Sequence, residues 1–488
     1  MPAYTIPEHV LKRPRTRIVC TLGPATATDD KIEELIRAGM SVARLNLSHG
    51  TPGEHEDAIA RVRAVSKRTG VAVAILADLP GPKHRLGPAP DSESILEPGQ
   101  RYILRDGDGP STAKFAYVHP AGFISSAPAG ASVLIADGAI RLSVIEARSD
   151  EIECEVAVGG PLESHKAVSA PGHASQISYL TEETEAALTV AASQRVDFVG
   201  ISYIRSAADV RLVRDFFLAR DFAPQLIAKI ELAESMANLD AIVDAADGVM
   251  VARGDLGVEL PIAQVPGSQK KIIKLANSVG KVVITATQML ESMINAPVPT
   301  RAEVTDVANA VLDGTDAVML SAETSIGQYP GLATAVMAEV ATEAEKSLNR
   351  EEIAGRRRSG IQGLDSAIAD AAVATADRVG ASVILAFTES GSTAARVAGF
   401  RPGVPIIVVT HDSEVGRALA LRWGVTVVTT PRPDSIDEMF RLGSRIALDT
   451  GLAKDHERAV AVIGVPIGVH GSTNLLRVID LPEPEPKI

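Results

Sequence analysis

An α/β architecture with a closed (β/α)8 TIM barrel at its centre follows from three observations on this 488-residue sequence. Short apolar runs recur at fairly regular intervals, amphipathic stretches separate them, and polar residues suited to chemistry stand where the runs end. A short continuous apolar run marks a parallel strand buried on both faces. Strands alternating with helices build a parallel sheet, and eight βα units in series point to closure of that sheet on itself.

In chain order the eight runs are Arg17–Leu22, Val42–Leu47, Val71–Ala77, Phe198–Ser202, Leu226–Ile230, Gly248–Ala252, Lys281–Thr287 and Ala317–Ser321. Between them, stretches such as Asp29–Ala38 and Arg301–Leu312 carry apolar residues at helical spacing. The alternation breaks once, from Pro82 to Lys166, where Gly, Pro and Asp accumulate around short β-type runs such as Ala131–Ile135 and Glu151–Val156. This predicts a barrel in two parts, 1–81 and 167–345, with a small all-β domain inserted over 82–166. An insertion after the third strand, at the catalytic end of a barrel, is a candidate lid. Arg356–Gly360 punctuates the end of the barrel. The runs Ala381–Phe387, Val404–Thr410, Val425–Thr429 and Ala459–Ile463 then begin a second alternation, predicting a separately cored α/β domain over 346–488.

Composition narrows the function classes. Apolar residues make up 46% and charged residues 22%, ordinary usage for a chain that fills more than one core. A net charge of -13 argues against nucleic acid as a partner, so any phosphate site must be built from local cations. No apolar stretch is long enough to span a bilayer, and the N-terminus lacks a signal-peptide layout. The two cysteines, Cys20 and Cys154, lie far apart without metal-site spacing and read as buried thiols in a reducing cytoplasm.

The ends of the fifth and sixth runs carry the chemistry. Lys229-Ile-Glu231 closes one and Ala252-Arg-Gly-Asp255-Leu-Gly257 closes the other. Side chains alternate along a strand, so Lys229 and Glu231 share a face at the barrel lip. Glu231 and Asp255 are hard oxygen donors suited to Mg2+, which takes one or two carboxylates plus substrate oxygens. A cation beside such a metal suits concentrated negative charge, such as a phosphoryl group or an enolate.

These residues, with Arg44-Leu-Asn-Leu-Ser-His49-Gly, Ala286–Met293 and Pro299–Ser321, closely resemble the pyruvate kinase family, and the similarity runs along the whole chain in that family's domain order. The resemblance implies transfer of the phosphoryl group of phosphoenolpyruvate to ADP, giving pyruvate and ATP. It implies Mg2+ (or Mn2+) held by Glu231 and Asp255, with Lys229 stabilising the phosphoryl group in flight and the enolate it leaves. Gly254 and Asp255 would cradle a carboxylate through backbone N–H groups. Thr287 would contact the substrate carboxylate on the face where C3 is protonated, and Ser321 and Glu323 would carry a proton relay. Arg44 would bind substrate phosphate through its forked guanidinium. Asn46, Ser48 and His49 share its loop near the nucleotide, and Arg85 and Lys166 would reach nucleotide phosphates from the lid.

In the C-terminal domain, Thr388-Glu-Ser390-Gly391-Ser392-Thr393 follows an apolar run and precedes a helix, so hydroxyls and a glycine gather at a helix N-terminus. The family places a phosphorylated effector there, with Gly468–Asn474 as the loop over it; a capped turn accounts for the motif equally well. A homotetramer is implied by the resemblance alone. Potassium-dependent members hold K+ with Asn, Ser, Asp and Thr. Here Asn46, Ser48 and Asp78 match the first three, while Leu79 replaces the Thr and its side chain offers no lone pair. Lys83 stands where those members carry Glu, so the expectation is an enzyme whose own ammonium replaces K+. Two other classes share parts of the pattern: a barrel aldolase or carboxylase that forms a metal-bound pyruvate enolate without nucleotide, and a non-catalytic sugar-phosphate sensor. An assay with and without ADP separates the first, and any turnover removes the second.

Overall fold

The computed structural model describes residues 4–89, 94–173, 177–466 and 473–482. Among these, eight parallel strands close into a barrel: Arg17–Thr21, Met40–Asn46, Ala74–Asp78, Phe198–Ile201, Gln225–Ile230, Gly248–Ala252, Val282–Ala286 and Ala317–Leu320. Each pairs with the next, and the first closes on the last with Ile18 opposite Val318. All eight expected runs therefore form strands. Strands one, three, six and seven are buried along their whole length, which explains why their sequences show no apolar–polar alternation. Val19, Leu76, Ile227, Met250 and Ile284 fill the barrel interior, while Ile18, Leu35, Ile36, Val62 and Ile272 belong to the layer between strands and helices. Each such side chain contributes about 1.5–3 kcal/mol on full burial.

Helix boundaries follow the caps written in the sequence. Asp29–Ala38 starts after Thr28, whose hydroxyl accepts from the Lys31 N–H at 3.4 Å. Arg301–Asp313 starts with a reciprocal Thr300–Glu303 capping box and stops at left-handed Gly314.

The insertion is a second closed barrel of mixed pairing, ordered Glu151–Val158, Arg101–Asp106, Phe115–His119, His84–Leu86, Ala167–Ser169, Ser132–Ile135 and Ile140–Ala147. Its core is its own, with Tyr102, Phe123, Leu142 and Ile152 buried together. Ala167–Ser169 pairs with His84–Leu86, so the inserted fold runs past the expected boundary at residue 166. The chain leaves the main barrel through Pro80-Gly81-Pro82 and returns through Ala170-Pro171-Gly172. At Gly81 a Cβ would stand 2.5 Å from the Tyr203 ring, so the exit strap needs a residue without one.

The C-terminal sheet is ordered Val425–Thr429, Ile406–Thr410, Val383–Phe387, Arg458–Gly464, Thr473–Asp480. The last strand is antiparallel and was not foreseen, because one edge face leaves it half exposed and breaks the apolar run. Of the expected loop Gly468–Asn474, residues up to 472 lie outside the described ones; Thr473 and Asn474 already belong to this strand. Arg356–Gly360 is not a break either: it ends the helix Arg350–Gly360, and Arg356 Nη1 donates to the Asp313 carbonyl of the barrel at 3.0 Å. The barrel's helical ring therefore extends beyond residue 345.

Barrel floor and C-terminal domain meet around buried arginines. Arg401 donates to Asp316 Oδ1 at 2.7 Å and to the Gly314 carbonyl at 2.9 Å. Trp423, the sole tryptophan, is buried between the guanidinium of Arg15 at 5.3 Å and that of Arg401 at 5.1 Å. Both cysteines are free and buried, and burial pushes each thiol up to about 12. No helix among the described residues is long and apolar enough to cross a membrane.

Candidate active site

A cavity of about 910 Å3 opens at the C-terminal ends of the barrel strands, lined among others by Arg44, Asn46, His49, Lys229, Asp255 and Thr287. Glu231 and Ser321 also face it. A second cleft of about 450 Å3 runs between the two barrels past Lys83, Tyr203 and Glu259, and the two meet at Asp255.

Lys229 ends the fifth strand and is buried with three oxygen neighbours. Its Nζ donates to Ser202 Oγ at 2.7 Å and lies 3.2 Å from Asp78 Oδ1 and 2.9 Å from Glu231 Oε1. Burial opposes its charge, but Asp78 and Glu231 outweigh it and hold the ammonium above its ordinary pKa. Asp78 ends the third strand and is shared: Oδ2 accepts from Arg44 Nε at 2.7 Å, and Oδ1 accepts from Ser202 Oγ at 3.1 Å. Burial alone would raise this carboxyl; Lys229 and Arg44 bring it below the usual range. Arg44 Nη1 donates to Thr21 Oγ1 at 2.9 Å, which fixes the guanidinium at the cavity wall.

The divalent ion that the motifs imply can be tested against the two carboxylates. Lys229 lies close to Glu231 Oε1 but off the hydrogen-bonding direction, so this buried oxygen has an ionic neighbour and no hydrogen-bond donor. Burial raises Glu231 to about 7 against the pull of Lys229, and the charge of nearby Asp255 adds to the rise. A carboxylate in that condition gains from a cation. Asp255 takes both of its contacts, Lys83 Nζ at 3.1 Å and the Tyr203 hydroxyl, on Oδ1, which leaves Oδ2 for a metal. No cluster of three or more His, Cys, Asp or Glu side chains among the described residues suits a metal. Two carboxylates completed by substrate oxygens fit Mg2+ well.

Several expected residues sit differently. The Gly254 N–H donates to Thr287 Oγ1 at 2.8 Å and is not free to cradle a carboxylate. Thr287 adopts a left-handed backbone, φ 69°, and its hydroxyl donates to the Ala286 carbonyl at 2.6 Å. Glu323 is a brace: its oxygens accept from the Leu290 N–H at 3.1 Å and the Ser321 N–H at 2.7 Å, and it does not line the cavity, whereas the Ser321 hydroxyl has no hydrogen-bond partner there. Arg85 and Lys166 remain within the inserted barrel, bound to the His165 carbonyl and to Glu163, outside both cavities. Ser48 donates its N–H to Asn46 Oδ1 at 3.3 Å. Lys83 makes its contacts with Asp255 and the Tyr203 ring, not with Asn46, Ser48 or Asp78. In the C-terminal domain, Thr388 and Thr393 are buried, the latter bonded to Thr473 Oγ1 at 2.8 Å. Ser390 and Ser392 present their hydroxyls beside Gly391, which stands just before the helix Ser392–Gly399.

Sequence reasoning missed Ser202 and Tyr203. Both follow the fourth strand at the same lip that singled out Lys229, so strand-end position was the available signal. It also missed Arg253, which buttresses Thr287 by donating to its carbonyl at 2.7 Å and to Asp306 at 2.7 Å.

Comparison with known proteins agrees with this geometry. Residues 13–334 match the family described as pyruvate kinase, barrel domain, and residues 366–479 match pyruvate kinase, alpha/beta domain. The chain is 43% identical over 468 residues to a pyruvate kinase of Geobacillus stearothermophilus, covering 95% of this chain and 80% of that one. It is 41% identical over 467 residues to a pyruvate kinase of Mycobacterium tuberculosis, covering 95% and 98%. A crystal structure of a pyruvate kinase from Cryptosporidium parvum superposes with a TM-score of 0.91 at 33% identity over 98% of both chains. With both domains matched and the barrel lip arranged as described, this chain belongs to the pyruvate kinase family of phosphotransferases.

Proposed function

We propose that the enzyme transfers the phosphoryl group of phosphoenolpyruvate to ADP, giving ATP and, after protonation at C3 of the enolate, pyruvate. The observation that carries this reading is Lys229, whose ammonium is held at the cavity wall by Asp78 and Glu231 while Arg44 faces the same space. A permanently charged, preorganised ammonium stabilises charge that moves onto phosphoryl and enolate oxygens without reorganising. Arg44, tied by Asp78 and Thr21, orients the phosphate. Mg2+ or Mn2+ on Glu231 and Asp255 supplies Lewis-acid stabilisation of the same oxygens. Asn46 and His49 line the nucleotide side, and closure of the inserted barrel would bring Arg85 and Lys166 towards it. Thr287 and Ser321 line the same cavity and are the hydroxyls that would face the enolate.

In this reading K+ is dispensable: the buried Leu79 side chain carries no oxygen, and the Lys83 ammonium is already present at Asp255. A phosphorylated metabolite binds at Thr388–Thr393, and the working form is a cytoplasmic homotetramer. An assay of ATP formation from phosphoenolpyruvate and ADP, with Mg2+ present and removed, tests the reaction. Pyruvate release that is independent of ADP would favour a metal-dependent enolate enzyme instead.

A further inference from the structure

Tyr203 touches both of the carboxylates that would hold the divalent ion. Its backbone N–H donates to Glu231 Oε2 at 2.6 Å, and its hydroxyl donates to Asp255 Oδ1. To do both, the residue takes a left-handed backbone, φ 56°, a conformation rarely adopted by an aromatic residue. Its ring does two more things. One face lies under the Lys83 ammonium, 4.2 Å from the ring centroid, and its edge fills the space left by the missing Cβ of Gly81. Glu231 comes from the fifth strand and Asp255 from beyond the sixth, so no other described residue bonds to both.

We infer that Tyr203 is the positioning residue of the divalent site, setting the orientation of Glu231 and Asp255 together and tying that orientation to the strap through which the chain enters the inserted barrel. The hydroxyl and the Lys83 ammonium both occupy Oδ1 of Asp255, which leaves Oδ2 uncommitted; the N–H occupies Oε2 of Glu231, which leaves Oε1 with Lys229 as its ionic neighbour and no hydrogen-bond donor. Groups that hydrogen-bond to metal-binding carboxylates fix their geometry, and losing one costs about 10–100-fold in metal affinity. Because the ring rests on Gly81, a swing of the strap moves the ring, and with it the hydroxyl. Metal affinity and position of the inserted barrel are thereby linked through one side chain.

This inference rests on the proposal that Glu231 and Asp255 bind the metal, and the test separates the two. Mn2+ binding to the full-length enzyme, read by electron paramagnetic resonance without substrate, is compared in wild type, Tyr203→Phe and Glu231→Gln, each with a thermal melt. Tyr203→Phe keeps the ring and deletes only the hydroxyl, so an unchanged melt with about tenfold or more weaker Mn2+ binding is expected. Weakening in Glu231→Gln with unchanged binding in Tyr203→Phe overturns the role of Tyr203 and leaves the metal site standing. Unchanged binding in Glu231→Gln overturns the metal site itself. Should Tyr203→Phe fail to fold, Gly81→Ala is read the same way: its Cβ displaces the ring while every polar group remains, and unchanged Mn2+ affinity overturns the inference.

Discussion

The ammonium of Lys229 lies 3.2 Å from Asp78 Oδ1, joining two barrel strands that are not neighbours. Between them runs Phe198–Ile201, whose Gly200 leaves the room: a Cβ there would press within 3.2 Å of the same oxygen. The Lys229 ammonium is thus fixed from the third strand and not only by its sequence neighbour Glu231.

Lys229→Met is expected to lower kcat by about 10³-fold, the scale for a missing preorganised charge, with little change in KM. It should also cost about 3 kcal/mol of stability, because Asp78 and Glu231 lose their shared buried cation. Steady-state kinetics and denaturant titration measure both. A near-native kcat would remove the assigned role.

Glu231→Gln is expected to shift the Mg2+ midpoint of activity upward by about tenfold or more, since one of the two carboxylates proposed to hold the ion becomes neutral. Titration of activity with Mg2+ at saturating substrates reads it. An unmoved midpoint places the metal elsewhere.

Activity in tetramethylammonium buffer should equal that in K+ buffer. The double change Lys83→Glu with Leu79→Thr should create a K+ requirement, by restoring an oxygen and reversing the charge beside Asp255. Activation of the unmodified enzyme by K+ on the order of tenfold would contradict this.

A phosphorylated metabolite should bind at the entrance of the helix Ser392–Gly399 and shift the phosphoenolpyruvate saturation curve. Calorimetry with sugar phosphates and nucleotides, repeated on Ser390→Ala, decides the site; an unaffected affinity sends it elsewhere.

Glu259 supplies a pH dependence of stability. Burial outweighs a hydrogen bond from the Gly172 N–H and raises its carboxyl from 4.5 to about 7. The folded state therefore holds a proton that the unfolded chain has released. This contribution is complete below about pH 4.5 and fades as pH rises through about 7. Wild type should lose up to about 2 kcal/mol more than Glu259→Gln between pH 5 and pH 8 in urea unfolding. Equal losses in the two proteins would show that the group does not titrate this way.

The barrel was legible because its strands are buried on both faces, so that runs such as Gly248–Ala252 coincide with the strand. Lys229, Glu231 and Asp255 were legible because strand-end polar residues in a barrel face the lip. What escaped depends on non-local geometry. Thr473–Asp480 is an antiparallel edge with mixed burial, and Arg356–Gly360 reads as a polar break until its helix is seen packed on the barrel. Lys83 was expected beside Asn46, Ser48 and Asp78, but spacing from Asp78 does not say which carboxylate a flexible stem will reach. Tyr203 escaped because its part lies in an N–H and a left-handed turn, neither of which residue identity reveals.

Trp423 has a practical consequence. As the sole indole, wedged between Arg15 and Arg401, it makes tryptophan emission a report on the barrel-floor junction alone. Emission excited at the indole band should be insensitive to any movement of the inserted barrel. It should shift to longer wavelength only when the C-terminal domain tilts and water reaches the ring. A displacement of the C-terminal domain against the barrel floor would therefore be visible optically in the unlabelled enzyme, apart from changes at the lip that carries Lys229 and Glu231.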